Sequence, residues 1–111
     1  LQRAPAETVS ESDDVLARTV LFPRIAAACL ITTVMEAEKK MGVPFARFAG
    51  QGFADFTSPA AIAPDQDIEQ ISNHYQPVRH VLGEYREKLL HLRDLVERSQ
   101  VKHLHQALAG N

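Results

Sequence analysis

Apolar and polar residues recur with a helical period along most of the chain. The pattern is most regular over Ile68, Ile71, Tyr75, Val78, Leu82, Tyr85, Leu89, Leu92 and Val96, whose spacing alternates between three and four residues. Side chains at that spacing form one stripe along a helix. The stripe predicts a seam packed lengthwise against other helices, inside the subunit or against a second copy. Asp65 or Asp67 can cap its start. Pro77 and Gly83 fall inside it, so a bend is expected between Asn73 and Pro77. Val101, Leu104 and Leu108 predict a short final helix.

The same period appears earlier. Leu16, Val20, Leu21, Ile25, Ala28, Cys29, Thr32 and Met35 predict a helix that starts between Thr8 and Ser12 and runs to about Lys40. Thr8 and Glu11 have capping-box spacing. Lys39 and Lys40 suit the negative helix end, and Gly42 the left-handed cap. The middle of this run is apolar nearly all round, which predicts burial on more than one side. Pro23 removes a backbone donor and is expected to kink or divide it. A short helix from about Pro44 to Ala49 should turn Phe45 and Phe48 inward. An ordered loop or broken helix follows through Pro59, with a further turn from Pro59 to Ala63. Gly50 and Gly52 there allow close backbone approach or positive φ. No segment alternates with period two, so the fold class is all-α, with a long amphipathic helix in the C-terminal half. Residues 1–12 read as a linker or tail and 13–111 as one helical domain.

Length and charge narrow the partners. A chain of 111 residues supports one domain with a modest core. A net charge of -2 gives no footprint for nucleic acid or acidic lipid. The most apolar stretch, Val20 to Val34, holds Pro23 and Arg24 and reads as too short to cross a bilayer, so no membrane partner is expected. Cys29 lies in an apolar run and reads as a buried, inert thiol; a single cysteine excludes an internal disulfide and fits a reducing, cytoplasmic setting. The chain opens at Leu1 without an initiator Met, and is expected to be a piece of a longer protein.

Candidate chemistry is sparse. No strand, Gly-rich turn and helix follow one another, so no cofactor site is encoded in this chain. His80, Glu84, Glu87 and His91 share one helical stripe that could face a twin stripe around a metal pair, but the stripe lies opposite the apolar seam and reads as solvated; no metal site is assigned. His103 and His105 point to different sides of a helix. His74, beside Asn73 at the expected bend, can face a pocket or cap freed carbonyls. Arg24 and Arg47 can bind a carboxylate or snorkel at the core edge.

The order of these features resembles the C-terminal helical domain of prephenate and arogenate dehydrogenases. Ala49-Gly50-Gln51-Gly52-Phe53-Ala54-Asp55-Phe56-Thr57 is similar to the family's A-G-G-G-F-R-D-x-T. Asn73 leads into a long Leu-rich helix, and Pro23 matches a proline in an early S-H-L-P-H segment. The resemblance covers most of residues 13–108. It implies a fold like the 6-phosphogluconate dehydrogenase C-terminal domain, assembled as an intertwined homodimer. It implies a dimerisation and substrate-pocket domain of an NAD(P)-dependent oxidoreductase of tyrosine biosynthesis, or of a divergent relative, with NAD or NADP on an N-terminal Rossmann domain missing from this chain. By itself the chain would be inactive. The resemblance assigns a small-molecule pocket to Arg24, Gly52, Phe53, Asp55, Thr57 and Asn73. Three departures stand against it. Leu21-Phe22-Pro23-Arg24 lacks the flanking histidines, Ala54 replaces an arginine, and Ser58 stands where another arginine would follow. Arg24 or Arg47 then substitutes, the substrate differs, or the domain keeps the architecture for assembly alone. The alternative function is a stand-alone helical dimerisation or interaction module without catalysis.

Overall fold

The computed structural model describes residues 9–58 and 64–110. Every regular element among them is helical. Thr8, the expected turn from Pro59 to Ala63 and most of the 1–12 segment lie outside the described residues. The chain divides into two compact units, one ending at Val78 and one starting at Arg79.

The first unit opens on a continuous helical run. Helix α1 spans Val9–Leu16, a π-turn spans Ala17–Leu21, and α2 spans Phe22–Met41. Pro23, expected to kink or divide this run, does not divide it: the helical run continues through the π-turn. Pro23 cannot donate to the carbonyl four residues back, and its ring crowds that carbonyl. One wider turn absorbs the conflict. The Phe22 N–H donates to the Ala17 carbonyl, five residues back, and α2 resumes with proline in its first turn, where no donor is required. Ala17 and Leu21, at the two ends of the π-turn, are 0% and 1% exposed and form the tightest part of the core with Ala26 and Ala27. Helix α2 ends as expected. Gly42 sits at φ 69°, and its N–H donates to the Glu38 carbonyl at 2.8 Å.

Burial of α2 is one-sided, which corrects two expectations. Ala28, Cys29, Thr32, Thr33, Met35 and Glu36 are exposed. Cys29 is therefore a surface thiol rather than a buried one. Composition made the middle of this run apolar nearly all round, but among the described residues this side of α2 stays exposed. The apolar stretch read as too short for a bilayer also lies inside a 30-residue helix, Ser12–Met41, which is long and apolar enough to cross one by length and composition alone.

Two short helices follow, α3 at Phe45–Phe48 and α4 at Gln51–Thr57, and both pack on α2. Phe45 is half-buried as expected, whereas Phe48 is 76% exposed and does not turn inward. A helix of one turn presents only one side to its neighbour, and Phe45 occupies it. Of the ordered loop or broken helix expected here, the structure shows the broken helix, with α4 following α3 after a break at Ala49 and Gly50. Gly50 caps it in extended conformation. A methyl group placed on Gly50 or Gly52 would meet no atom within 4 Å, so neither glycine is needed for close approach.

Helix α5 spans Pro64–Asn73, and α6 spans Tyr75–Glu97 with a turn at His74 between them. The break falls where Pro77 predicts it, because the Asn73 carbonyl loses its donor at Pro77. Gly83 lies within α6 without interrupting it.

The second unit is the rest of α6 and α7, Val101–Leu108. Their connection is a Schellman turn. The Gln100 N–H reaches the Leu95 carbonyl at 3.0 Å, and the Ser99 N–H reaches the Val96 carbonyl at 3.1 Å. Ser99 holds φ 55°, where glycine is the ordinary occupant. Ser99→Gly should therefore raise stability by about 0.5–1 kcal/mol, read as a higher urea midpoint at unchanged slope. An unchanged or lower midpoint would refute the cost assigned to this turn.

Candidate functional site

A cleft of about 410 Å³ opens in the first unit. Leu16, Val20 and Leu21 give it an apolar wall from the end of α1 and the π-turn. Gln66, Glu69, Gln70 and Asn73 give it a polar wall from α5, and Arg24 of α2 stands between them. The polar wall follows from helical spacing, since those residues recur at three- and four-residue steps on α5. The π-turn supplies the other wall because Pro23 widens the helix at that point.

One ion pair and one histidine contact join separate helices of this unit. Arg24 Nη1 donates to Asp67 Oδ1 across 43 positions of sequence, with only 15% of the Asp67 side chain exposed. His74 places Nε2 3.2 Å from Asp13 Oδ1 and Nδ1 2.9 Å from the Gln70 carbonyl. His74 therefore does what a polar residue at a helix break commonly does: it caps a carbonyl beside the break and links it to α1. Asp67, a candidate helix cap by sequence, gives its carboxylate to Arg24 instead. Neither snorkelling nor a free carboxylate site describes Arg24, because its guanidinium already has an acid.

The structure brings two of the six sequence-assigned pocket residues, Arg24 and Asn73, to this cleft. The other four lie on α4, which is not among the described walls of the cleft. Gly52 is exposed. Phe53 is half-buried. Asp55 accepts from Gln51 Nε2 at 2.9 Å on the exposed side. Thr57 is buried, and its hydroxyl donates to the Phe53 carbonyl at 2.7 Å within its own helix. Arg47 is exposed in the last turn of α3. Sequence reading missed the Gln66–Glu69–Gln70 wall, which its helical spacing could have revealed. Asp67 as the partner of Arg24 carried no local signal at all.

The histidine stripe is solvent-facing. His80 Nε2 lies 3.0 Å from Glu84 Oε2, with the His80 side chain 67% exposed, and Glu87 and His91 are exposed as well. Among the described residues no three His, Cys, Asp or Glu side chains converge as a metal-holding group.

The apolar seam is the second candidate surface. Val78 is buried, and Ile71, Leu82 and Leu92 are half-buried. Ile68, Leu89 and Val96 are 63%, 53% and 60% exposed, and Tyr75 and Tyr85 are exposed too. Among the described residues the seam is thus only partly covered. Leu90 beside it is also exposed. Exposed apolar surface of this extent on consecutive turns of one helix marks an interaction surface.

A family model described as "Prephenate dehydrogenase, dimerization domain" matches residues 8–110. Neither a curated protein nor a solved structure matches the chain.

Proposed function

This chain belongs to the prephenate dehydrogenase dimerization-domain family, and from that premise we propose that it forms a homodimer through the α6 seam and the bare side of α2. The observation that carries the proposal is the exposure of Leu89 and Val96 on α6 in a chain matched to a dimerization domain over nearly its whole length. Burying such side chains against a twin removes apolar area from water at roughly 25 cal/mol per Å². A twin also gives Met35 and the other exposed apolar residues of α2 a neighbour without invoking a bilayer.

The finer reading follows the family. The domain would serve an NAD(P)-dependent oxidoreductase of the prephenate dehydrogenase type, in tyrosine biosynthesis or a divergent branch of it, working in the cytoplasm. NAD or NADP would be held by a Rossmann domain outside this chain, and no residue here is assigned to it. This chain would contribute Arg24 and Asn73 to the edge of a small-molecule pocket. The four α4 residues would join that pocket only through a neighbouring subunit or domain. Finding a strand, a Gly-rich turn and a helix encoded upstream in the same gene would support this reading; a gene that starts near Leu1 would refute it.

Assembly is tested directly by sedimentation equilibrium of the purified protein. The expected mass is twice the 12.3 kDa of one chain. A folded monomer at roughly 50 μM, well above the Kd of a stable homodimer, would overturn the proposal. So would quantitative flotation with lipid vesicles, which would hand the bare side of α2 to a membrane instead.

A further inference from the structure

We propose that α6 of each subunit receives the acidic helix α5 of its twin, with Arg86 and Arg93 set against the partner's Asp65 and Glu69. The inference rests on the homodimer proposed above and names which parts of the two copies meet. Arg79, Leu82, Arg86, Leu89, Arg93 and Val96 step along α6 by three and four residues, so arginine and aliphatic side chains alternate along one edge of the seam. Leu89 and Val96 are 53% and 60% exposed, and all three arginines are exposed. The Arg86 guanidinium reaches Glu87 at 3.2 Å, but that pair joins adjacent, exposed residues and is weak. An apolar row edged by cations is complemented by an apolar residue edged by acids.

This edge of α6 does not complement itself. In an antiparallel pair of α6 helices, a twofold axis sets each flank against its own copy, so arginines would face arginines. In a parallel pair they would face the opposite flank, Val81, Lys88 and Leu95, which carries no acid and is buried at Val81 and Leu95. Among the described helices, α1 and α5 each hold three acids and no lysine or arginine. In α1, Asp13 and Asp14 already face His74 and Arg18. In α5, Asp67 is taken by Arg24, which leaves Asp65 and Glu69 exposed beside Ile68, itself 63% exposed. Helix α5 therefore presents an aliphatic side chain edged by two carboxylates, the complement of Leu89 edged by Arg86 and Arg93. A twofold contact is isologous, so this one forms twice in the dimer.

The test is sedimentation equilibrium of two charge-reversed variants of the purified protein. One carries Arg86→Glu with Arg93→Glu, the other Asp65→Lys with Glu69→Lys. Either alone should raise the dimer dissociation constant by about tenfold or more, because like charges then meet at both symmetric contacts. An equimolar mixture of the two should recover a dimer within about threefold of the wild-type affinity. Each chain in the mixture carries the charges that the other needs, and no contact inside one chain can produce that rescue. Circular dichroism checks that both variants stay helical. Where one does not, Arg86→Gln with Arg93→Gln takes over: between roughly 50 and 500 mM salt the wild-type dissociation constant should rise, and that of the neutral variant should rise much less. Folded reversals with unchanged dissociation constants, a mixture of folded variants without rescue, or equal salt dependence in the neutral variant would overturn the proposal. A wild-type dimer indifferent to these changes sinks the α5 contact and leaves the assembly standing, whereas a wild-type monomer sinks the assembly and the contact with it.

Discussion

Leu89→Asp is expected to convert the proposed homodimer into monomers, with a dissociation constant raised more than about 100-fold. Leu89 is 53% exposed in the single chain, so roughly half of its surface remains to be covered by a partner. Losing that apolar contact costs about 1 kcal/mol by area. Placing an ionised carboxylate in the seam without a partner charge costs several more. Each 1.4 kcal/mol is tenfold in affinity, so about 3 kcal/mol gives the expected change. Sedimentation at roughly 20 μM, a concentration chosen above the Kd of an ordinary stable dimer, should read a dimer for the wild type and a monomer for the variant. Glu87→Gln is the control. Glu87 is exposed and lies two residues away, on the far side of α6, and its loss should leave the dimer intact. A variant that stays dimeric would remove the seam from the interface. A variant that loses its helical circular dichroism together with its dimer would show that the subunit does not stand without its twin.

Leu21→Ala carries the largest expected effect on the subunit itself. Leu21 is 1% exposed and sits at the end of the π-turn, against which α5 packs. Cutting a buried leucine to alanine costs about 2–5 kcal/mol, the upper values applying where neighbours cannot close in. The neighbours here are poorly placed to do so. Ala17 and Ala27 have no side-chain length to spare, and the helical run on either side of the turn holds the backbone in place. A domain of this size has a stability of the order of 5–15 kcal/mol, so the change removes a large fraction of it. Urea unfolding at fixed protein concentration is the measurement. Leu108→Ala, at a position 71% exposed, should change the stability by less than about 0.5 kcal/mol. A loss below about 1 kcal/mol at Leu21 would mean that the core does not centre on the π-turn.

Most of the element plan was legible without coordinates. The seam from Ile68 to Val96 announced α5 and α6, Pro77 placed the break between them, and Gly42 placed the end of α2. These features depend on the order of residues within a few turns, where hydrogen bonding and cap chemistry are local. The fate of Pro23 was not legible. A missing donor predicts disruption of some kind, but whether the chain kinks or widens by one residue depends on what packs against it, and α5 packs against this turn. Phe48 and Cys29 misled for a related reason. Periodicity says which residues are apolar and not how many of their sides find a neighbour.

The candidate site was half legible. Arg24 and Asn73 were reachable from the family resemblance and do share a cleft, while α4 keeps its four residues outside the described walls of that cleft. The decisive contact, Arg24 with Asp67, joins positions 43 apart. The sequence by itself determined an all-α chain, its breaks and caps, and an apolar stripe too long for so small a core, because each follows from local hydrogen bonding and helical spacing. Only the tertiary structure decided which side of α2 stays bare, that Pro23 is absorbed by a π-turn, and that the arginine in the cleft arrives already neutralised. Those outcomes turn on which distant residues fold back onto one another, and no short-range pattern carries that information.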